Sequence, residues 1–102
     1  MSVHAVFEVR IVPGAAPDAV ERYEQYRAAV PALIERFGGR YLARAVTGEA
    51  LEGPAPTEPT RWHLIEFPDA ASAHAFWDSP EYRALAPLRE GAAEVRAVLL
   101  GR

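Results

Sequence analysis

The apolar residues of this chain recur with two different periods, and the order of those periods limits the fold more than any other feature. Residues 3–12 alternate between apolar and mixed positions, which predicts a β-strand whose two faces differ. Residues 17–37 repeat at intervals of three and four, which predicts an amphipathic helix. The same patterns predict one further helical region and three further strands, at 69–90, 40–47, 61–67 and 94–100.

Prolines mark where the predicted helices begin and bend. Pro31 lies inside the first helical pattern, where it predicts a kink or a division of the helix. In the stretch SPEYRALAPLR, Ser79 is a good N-cap and Pro80 suits the first helical position. The second helical region is therefore predicted as one helix over 69–78 and a fresh segment, set at an angle, over 80–90.

The elements follow in the order strand, helix, strand, strand, helix, strand. This is the split βαβ, or ferredoxin-like, arrangement of an α+β fold. The chain has 102 residues, a length that suits one compact domain, which we predict over residues 1–102.

Composition narrows the classes of function. The net charge is −3 and no Lys/Arg run is present, so we expect no nucleic-acid partner. The absence of cysteine excludes disulfides and thiolate metal sites, and it fits a cytoplasmic location. No apolar run is long enough to span a bilayer, so we expect no membrane partner.

Four stretches in a fixed order carry a resemblance to a known family; they are GGRYLAR at 38–44, LEG at 51–53, IEFPD at 65–69 and SPEYRALAPLR at 79–89. Together they resemble a widespread family of small bacterial domains of unknown function in the dimeric α/β-barrel superfamily. The resemblance implies a four-stranded antiparallel sheet with two helices on one face. It also implies that the open face packs against a second copy, so that two sheets close a barrel.

This chain departs from the family pattern at one place. Family members often have Gly-Gly where this chain has Ala45 and Val46. Whether the tight turn or bulge that glycines allow is formed here therefore stays open.

Side-chain parity predicts which charges lie on the open face of the sheet. If Phe7 and Val9 cover the helices, Glu8 and Arg10 point to the opposite face. Because charged residues rarely lie beneath helices, the same argument assigns to the open face Trp62, Leu64, Glu66, Arg40 and Arg44. Tyr41 and Ala43 are then expected beneath the helices.

These residues define the predicted site. Glu66 is the predicted general base, and Arg10 or Arg44 is predicted to stabilise negative charge on a carbonyl or phenolic substrate. The predicted ligand-binding residues are Glu8, Trp62, Leu64, His4 and Arg40. The same charges also fit a structural ion-pair network at a dimer interface.

No metal or bound cofactor is expected. The sequence contains no phosphate loop, dinucleotide fingerprint or HExxH motif. His4, Glu8 and Glu66 share the predicted face, but one histidine with scattered carboxylates is a weak metal-binding pattern.

Three polar residues fall outside this cluster. His63 is expected on the helix side or near a strand edge, as a histidine bonded to backbone. The N-cap role of Ser79 explains that residue without a nucleophilic function. Glu52 belongs either to the loop surface or to the mouth of the barrel.

Three functions remain open from the sequence. The first is an enzyme without a bound cofactor, such as a monooxygenase or isomerase, acting on a small carbonyl or phenolic metabolite. The second is a module that binds such a molecule without turnover, and the third is a structural homodimer without a ligand. The superfamily resemblance favours the first, although one fold supports many functions.

Overall fold

The computed structural model describes residues 1–57 and 59–101, so that Glu58 and Arg102, the last residue of the predicted domain, lie outside it. Its elements, in chain order, are the strand β1 Val3–Ile11, the helix α1 Pro17–Arg36, the strands β2 Arg40–Val46 and β3 Thr60–Phe67, the helices α2 Ala70–Asp78 and α3 Pro80–Leu85, a 3-10 turn at Ala86–Arg89, and the strand β4 Ala93–Leu100. The order confirms the predicted ferredoxin-like α+β fold.

The four strands form one antiparallel sheet in the order β2-β3-β1-β4. Alternate residues of β1 are buried, as the period of two predicts, and they are Val3, Ala5, Phe7 and Val9. They pack with buried residues of the helices into one core. The opposite face of the sheet is left open.

Helix α1 runs through Pro31 as one helix of 20 residues, so the proline does not divide it. The helix ends where Gly38 takes a φ of 83°, and the Gly39 N–H then donates to the carbonyl of Ile34 at 3.0 Å. A left-handed residue of this kind is a common way to satisfy the last carbonyls of a helix. It turns the chain directly into β2.

The second helical region is divided at Ser79, as the sequence predicts. The Ser79 hydroxyl accepts a hydrogen bond from the Tyr82 N–H at 3.1 Å and donates one to the carbonyl of Phe76 at 2.8 Å. One side chain therefore ends α2 and begins α3. The predicted segment over 80–90 continues as α3 and tightens into the 3-10 turn that contains Pro87.

This division places Tyr82 at the centre of the helical layer. Its side chain is fully buried, and its hydroxyl lies 2.8 Å from that of Tyr26 on α1. A guanidinium nitrogen of Arg89 donates to the Tyr82 hydroxyl at 2.6 Å. We call these three residues the Tyr82 triad; they join α1, α3 and the 3-10 turn without a carboxylate.

Candidate functional site

The predicted site residues of the open face fall into two separate groups. In the first, a carboxylate oxygen of Glu66 accepts from Arg40 at 2.8 Å, and the other oxygen lies 3.6 Å from Nε2 of His4. In the second, Arg10 forms an ion pair with Glu94.

These two groups are too far apart to act on one small molecule within a subunit. Glu66 lies opposite His4 in the sheet, whereas Arg10 lies opposite Thr60. His4 and Arg10 are six positions apart along β1, which at about 3.3 Å per residue separates them by roughly 20 Å. The predicted single cluster of Glu66 and Arg10 is therefore wrong within one subunit.

Glu66 has the surroundings of an ion-pair network rather than of a free base. Both of its carboxylate oxygens face partners, Arg40 and His4. Glu8 lies in the second group, opposite Trp62 on one side and Arg96 on the other. This geometry favours the structural interpretation of the open-face charges.

Apolar side chains lie between the two charged groups. Val6 is opposite Leu64 of β3 and Val98 of β4, so these three residues cross the sheet on its open face. Next to them, the indole nitrogen of Trp62 is buried without a hydrogen-bond partner among the residues that the structure describes. An apolar strip of this kind between two charged ends is unusual for a face that meets only water.

Arg44 does not lie on the open face. Strand β2 shifts register twice, between Tyr41 and Ala43 and again between Ala43 and Val46. Ala43 pairs with Leu64 and so shares the open face, and the guanidinium of Arg44 lies 5.2 Å from the centre of the Tyr41 ring. The predicted faces of Ala43 and Arg44 are both wrong, because each bulge inserts a residue and inverts the alternation that follows.

The second bulge is formed without a glycine. Ala45 has a φ of 53°, in the left-handed region that L side chains rarely adopt. Its N–H donates to Nδ1 of His63 at 3.2 Å, which confirms the prediction that His63 is bonded to backbone. The feature that the sequence left open at 45–46 is therefore present.

The β2 bulges and helix α1 enclose a cleft on the helix side of the sheet. We call it the Arg44 cleft; its polar and aromatic lining consists of Phe7, Tyr23, Tyr26, Arg27, Tyr41, Arg44 and His63. The cleft itself holds only about 40 Å³, and it shares Tyr23, Arg27, Ala45 and His63 with a groove of about 550 Å³ beside α1 and the start of β3. The volume of the groove lies within the range of small-molecule sites, roughly 300–1,000 Å³, so the cleft is a side recess of that groove.

The Arg44 cleft and its groove are cationic, although the chain carries a net negative charge. The charged residues that line them are Arg27, Arg44, Arg61 and Glu24. Arg27 donates to the Glu24 carboxylate at 3.0 Å. Even with Arg61 left out of the count, two guanidinium groups, those of Arg27 and Arg44, stand against one carboxylate among the lining residues that the structure describes.

The aromatic and imidazole groups of the cleft add no negative charge near pH 7. Burial raises the pKa of Tyr23 and of Tyr41, and the nearby guanidinium groups of Arg27 and Arg44 oppose that rise. Burial lowers the pKa of His63, and the charges of Arg44 and Arg27 lower it further. The two phenols and the imidazole are therefore neutral hydrogen-bonding groups beside two cations.

The lowered pKa of His63 predicts a loss of stability in mild acid. Because the unfolded chain binds a proton at about pH 6.5 and the folded protein only at lower pH, the free energy of unfolding falls as the pH drops below about 6.5. Urea unfolding at pH 5 and pH 8 measures this dependence.

Two substitutions to asparagine separate the histidines. We expect His63→Asn to show a weaker pH dependence than the wild type, and His74→Asn, at an exposed position on α2, to keep the wild-type dependence. Equal pH dependence in the wild type and His63→Asn would show that His63 titrates normally.

Within residues 1–57 and 59–101, no group of three or more His, Cys, Asp or Glu side chains is placed to hold a metal ion. None of the helices described is long and apolar enough to cross a membrane. Glu52 is exposed in the loop that follows β2.

Residues 11–101, which include the whole polar lining of the Arg44 cleft, match the model of a family described as a domain of unknown function, DUF1330. The chain belongs to the DUF1330 family. This match confirms the resemblance, predicted from the sequence, to a family of small domains of unknown function. Among curated proteins, none matches the chain significantly.

Solved structures place this DUF1330 protein among ferredoxin-like domains. A protein of unknown function from Rhodopseudomonas palustris is 27% identical, with a TM-score of 0.75 over 99% of this chain and 82% of that one. A dimeric ferredoxin-like protein of unknown function from Thermobifida fusca is 20% identical, with a TM-score of 0.60 over 100% and 92%. SnoaB, a cofactor-independent oxygenase from Streptomyces nogalater, is 13% identical, with a TM-score of 0.63 over 99% and 92%.

Proposed function

We propose that this DUF1330 protein binds a small organic anion in the groove, with its anionic end at the Arg44 cleft, and promotes its reaction through an enolate or phenolate, without a bound cofactor. The observation that carries the proposal is the excess of guanidinium groups in an aromatic cleft on the helix side of the sheet. Carbonyl and phenolic metabolites are the substrates whose anions such a cleft stabilises.

The chemistry of the cleft is that of an anion stabiliser. Arg44 and Arg27 supply fixed positive charge, and Tyr41 and the neutral His63 supply hydrogen-bonding groups nearby. Prearranged donors of this kind are worth most where negative charge develops in a partly desolvated site. The sequence prediction assigned this role to Arg10 or Arg44 on the open face; we propose Arg44 for the same role in the cleft.

The reaction class draws support from the fold. SnoaB, a cofactor-independent oxygenase, has the same fold at 13% identity. Fold alone is a weak warrant for activity, so the proposal depends on the residues of the cleft. A substrate that reacts through its anion would suit a site rich in cations.

One observation favours a second candidate function, ligand binding without turnover. The carboxylate that lines the groove, Glu24, is already bonded to Arg27. Among the residues that the structure describes, the Arg44 cleft thus offers no unpaired carboxylate as a base. Aerobic incubation followed by mass spectrometry of the recovered ligand separates the two functions, because only turnover changes the ligand.

We also propose that two copies pair through the open face of the sheet. The apolar strip of Val6, Leu64 and Val98 lies there between charged groups of both signs. Such a face can be complementary to itself, as a two-fold interface requires. The relative from Thermobifida fusca is a dimeric ferredoxin-like protein, which supports this pairing.

The role of Arg44 is tested by its neutral variant, with salicylate as the probe because it is a planar aromatic carboxylate with a phenol. We expect Arg44→Gln to weaken salicylate binding by roughly 10–100-fold, the loss of one charged hydrogen bond of about 1.5–3 kcal/mol. Calorimetric titration at pH 7.5 measures the dissociation constant of each variant.

The matched control is Arg36→Gln. Arg36 is exposed on α1 and bonds to Glu81, and it does not line the cleft. We expect its dissociation constant for salicylate to equal that of the wild type. Equal weakening by both substitutions would mean that general charge, and not the Arg44 cleft, attracts the anion.

A further inference from the structure

The imidazole of His63 is held in place by two contacts, one with the backbone of Ala45 and one with the ring of Tyr41. Its Nδ1 faces the backbone N–H of Ala45 at 3.2 Å, and its ring lies 5.8 Å from that of Tyr41 at an angle of 56°. A neutral imidazole has one N–H donor and one acceptor nitrogen. Because Nδ1 accepts the Ala45 N–H, the proton of the neutral ring belongs on Nε2.

We infer that the left-handed Ala45 fixes His63 as the Nε2–H tautomer, so that His63 donates a hydrogen bond to the anionic ligand of the Arg44 cleft. In the described part of the chain no residue bonds to Nε2, and His63 lines both the cleft and the groove beyond it. The tautomer follows from the contact with Ala45 alone. The role toward a ligand rests on the proposed function.

The bulge of β2 is what aims the backbone N–H at the ring. In a regular strand this N–H would lie in the plane of the sheet, toward β3 or toward the free edge, but the register shift between Ala43 and Val46 removes Ala45 from the regular pairing. The left-handed φ of 53° is unfavourable for alanine and is held by the surrounding structure. A strained residue that orients a side chain lining a cleft is consistent with a functional constraint.

The charged and titratable groups around His63 also oppose its protonation. From α1 the cleft receives Arg27, Tyr23 and Tyr26, and from β2 it receives Arg44 and Tyr41. The Glu24 carboxylate in the adjoining groove is bonded to Arg27, and Arg61 of β3 lines that groove as well. A protonated ring would also turn an N–H of Nδ1 toward the Ala45 N–H.

The consequence is a rule for what the cleft accepts. A neutral Nε2–H next to two guanidinium groups presents donors only, so it favours a ligand with anionic oxygen atoms directed at His63 and Arg44. A ligand that carries an amine at that position would meet a donor and two positive charges. Aromatic carboxylates and enolates are therefore preferred over amines.

The tautomer is tested first, on the ligand-free wild-type protein. Long-range ¹H–¹⁵N NMR at pH 7.5 distinguishes a protonated ring nitrogen from an unprotonated one for each histidine, and His63→Asn identifies the His63 signals by their loss. We expect an unprotonated Nδ1 and a protonated Nε2. A protonated Nδ1, a rapidly exchanging mixture of tautomers, or a doubly protonated ring would overturn the inference.

The role toward the ligand is tested with two variants and salicylate. The side-chain amide of asparagine lies where Nδ1 of histidine lies, so its oxygen can accept the Ala45 N–H, but no donor remains at the position of Nε2. The longer side chain of glutamine places an amide donor near the position of Nε2. We expect His63→Asn to weaken binding by roughly tenfold, the loss of one hydrogen bond, and His63→Gln to recover part of that loss. His74→Asn, on the exposed side of α2, is the control and should bind as the wild type does.

The outcomes separate this inference from the proposed function. If His63→Asn binds salicylate as tightly as the wild type while Arg44→Gln binds it weakly, the donor role of His63 is wrong and the anion site stands. If neither substitution alters the binding, or the wild type does not bind salicylate, both the donor role and the proposed anion site fail. The tautomer measurement is independent of both results.

Discussion

Tyr82→Ala should lower the free energy of unfolding by about 3–5 kcal/mol, the usual loss when a buried aromatic side chain is truncated to alanine. The Tyr82 side chain has 0% exposure, and its ring lies 4.8 Å from that of Phe76 and 5.0 Å from that of Trp77. Its removal leaves a cavity among aromatic rings. It also removes the hydroxyl that bonds to both Tyr26 and Arg89. Urea unfolding at pH 7 measures the change.

The conservative variant divides this loss into packing and hydrogen bonding. Tyr82→Phe keeps the ring but leaves the Tyr26 hydroxyl without its partner at 2.8 Å, and we expect a loss of about 1–2 kcal/mol. An unfolding midpoint for Tyr82→Ala close to that of the wild type would contradict the packing of α3 described above. Equal losses in the two variants would assign the whole effect to the hydroxyl.

Val98→Asp should raise the dissociation constant of the proposed dimer about 100-fold or more. Val98 is 38% exposed in the isolated subunit and lies on the open face, opposite Val6. In a sheet-to-sheet dimer the substitution would bury a carboxylate without a partner, which is strongly destabilising. Analytical ultracentrifugation over a range of protein concentrations gives the dissociation constants.

Val20→Asp is the matched control for that experiment. Val20 is 44% exposed on α1, on the helical side of the sheet, and it is changed to the same residue. We expect the dimer of this variant to dissociate as the wild type does. A wild-type dimer that resists Val98→Asp, or a wild type that is monomeric at micromolar concentration, would show that the open face does not pair.

The sequence was sufficient for the elements of the fold because each has a local signal. The alternation over 3–12 and the helical repeat over 17–37 give β1 and α1 to within one or two residues. The Ser79-Pro80 pair marks the division between α2 and α3, because its capping chemistry is local to the chain. Local signals of this kind depend little on tertiary contacts.

The site was harder to predict, because side-chain parity gives the face of a residue and not its neighbours. Parity placed Glu66 and Arg10 on the open face, yet six positions of β1 separate them. Parity also fails beyond a bulge, and the bulge before Arg44 has no glycine to reveal it. The departure from Gly-Gly at Ala45 and Val46 was the one available signal.

Two further residues of the cleft were missed for a different reason. Tyr23 and Arg27 fit the apolar stripe of α1, which a helical pattern explains without any function. Only their position across from the β2 bulges shows that they line a cleft with His63. His63 itself was expected to be a backbone-bonded histidine, and no local pattern indicated that it also lines a cleft.

The Tyr82 triad implies that the two layers of the molecule respond differently to acid. Arginine and tyrosine titrate only above about pH 10, and burial raises the pKa of Tyr26 further. The imidazole of His63, whose pKa is lowered by burial, takes up a proton only in more acidic solution. Acid therefore disturbs the contact between His63 and the β2 bulge, and it leaves the contacts of the Tyr82 triad between the helical segments unchanged.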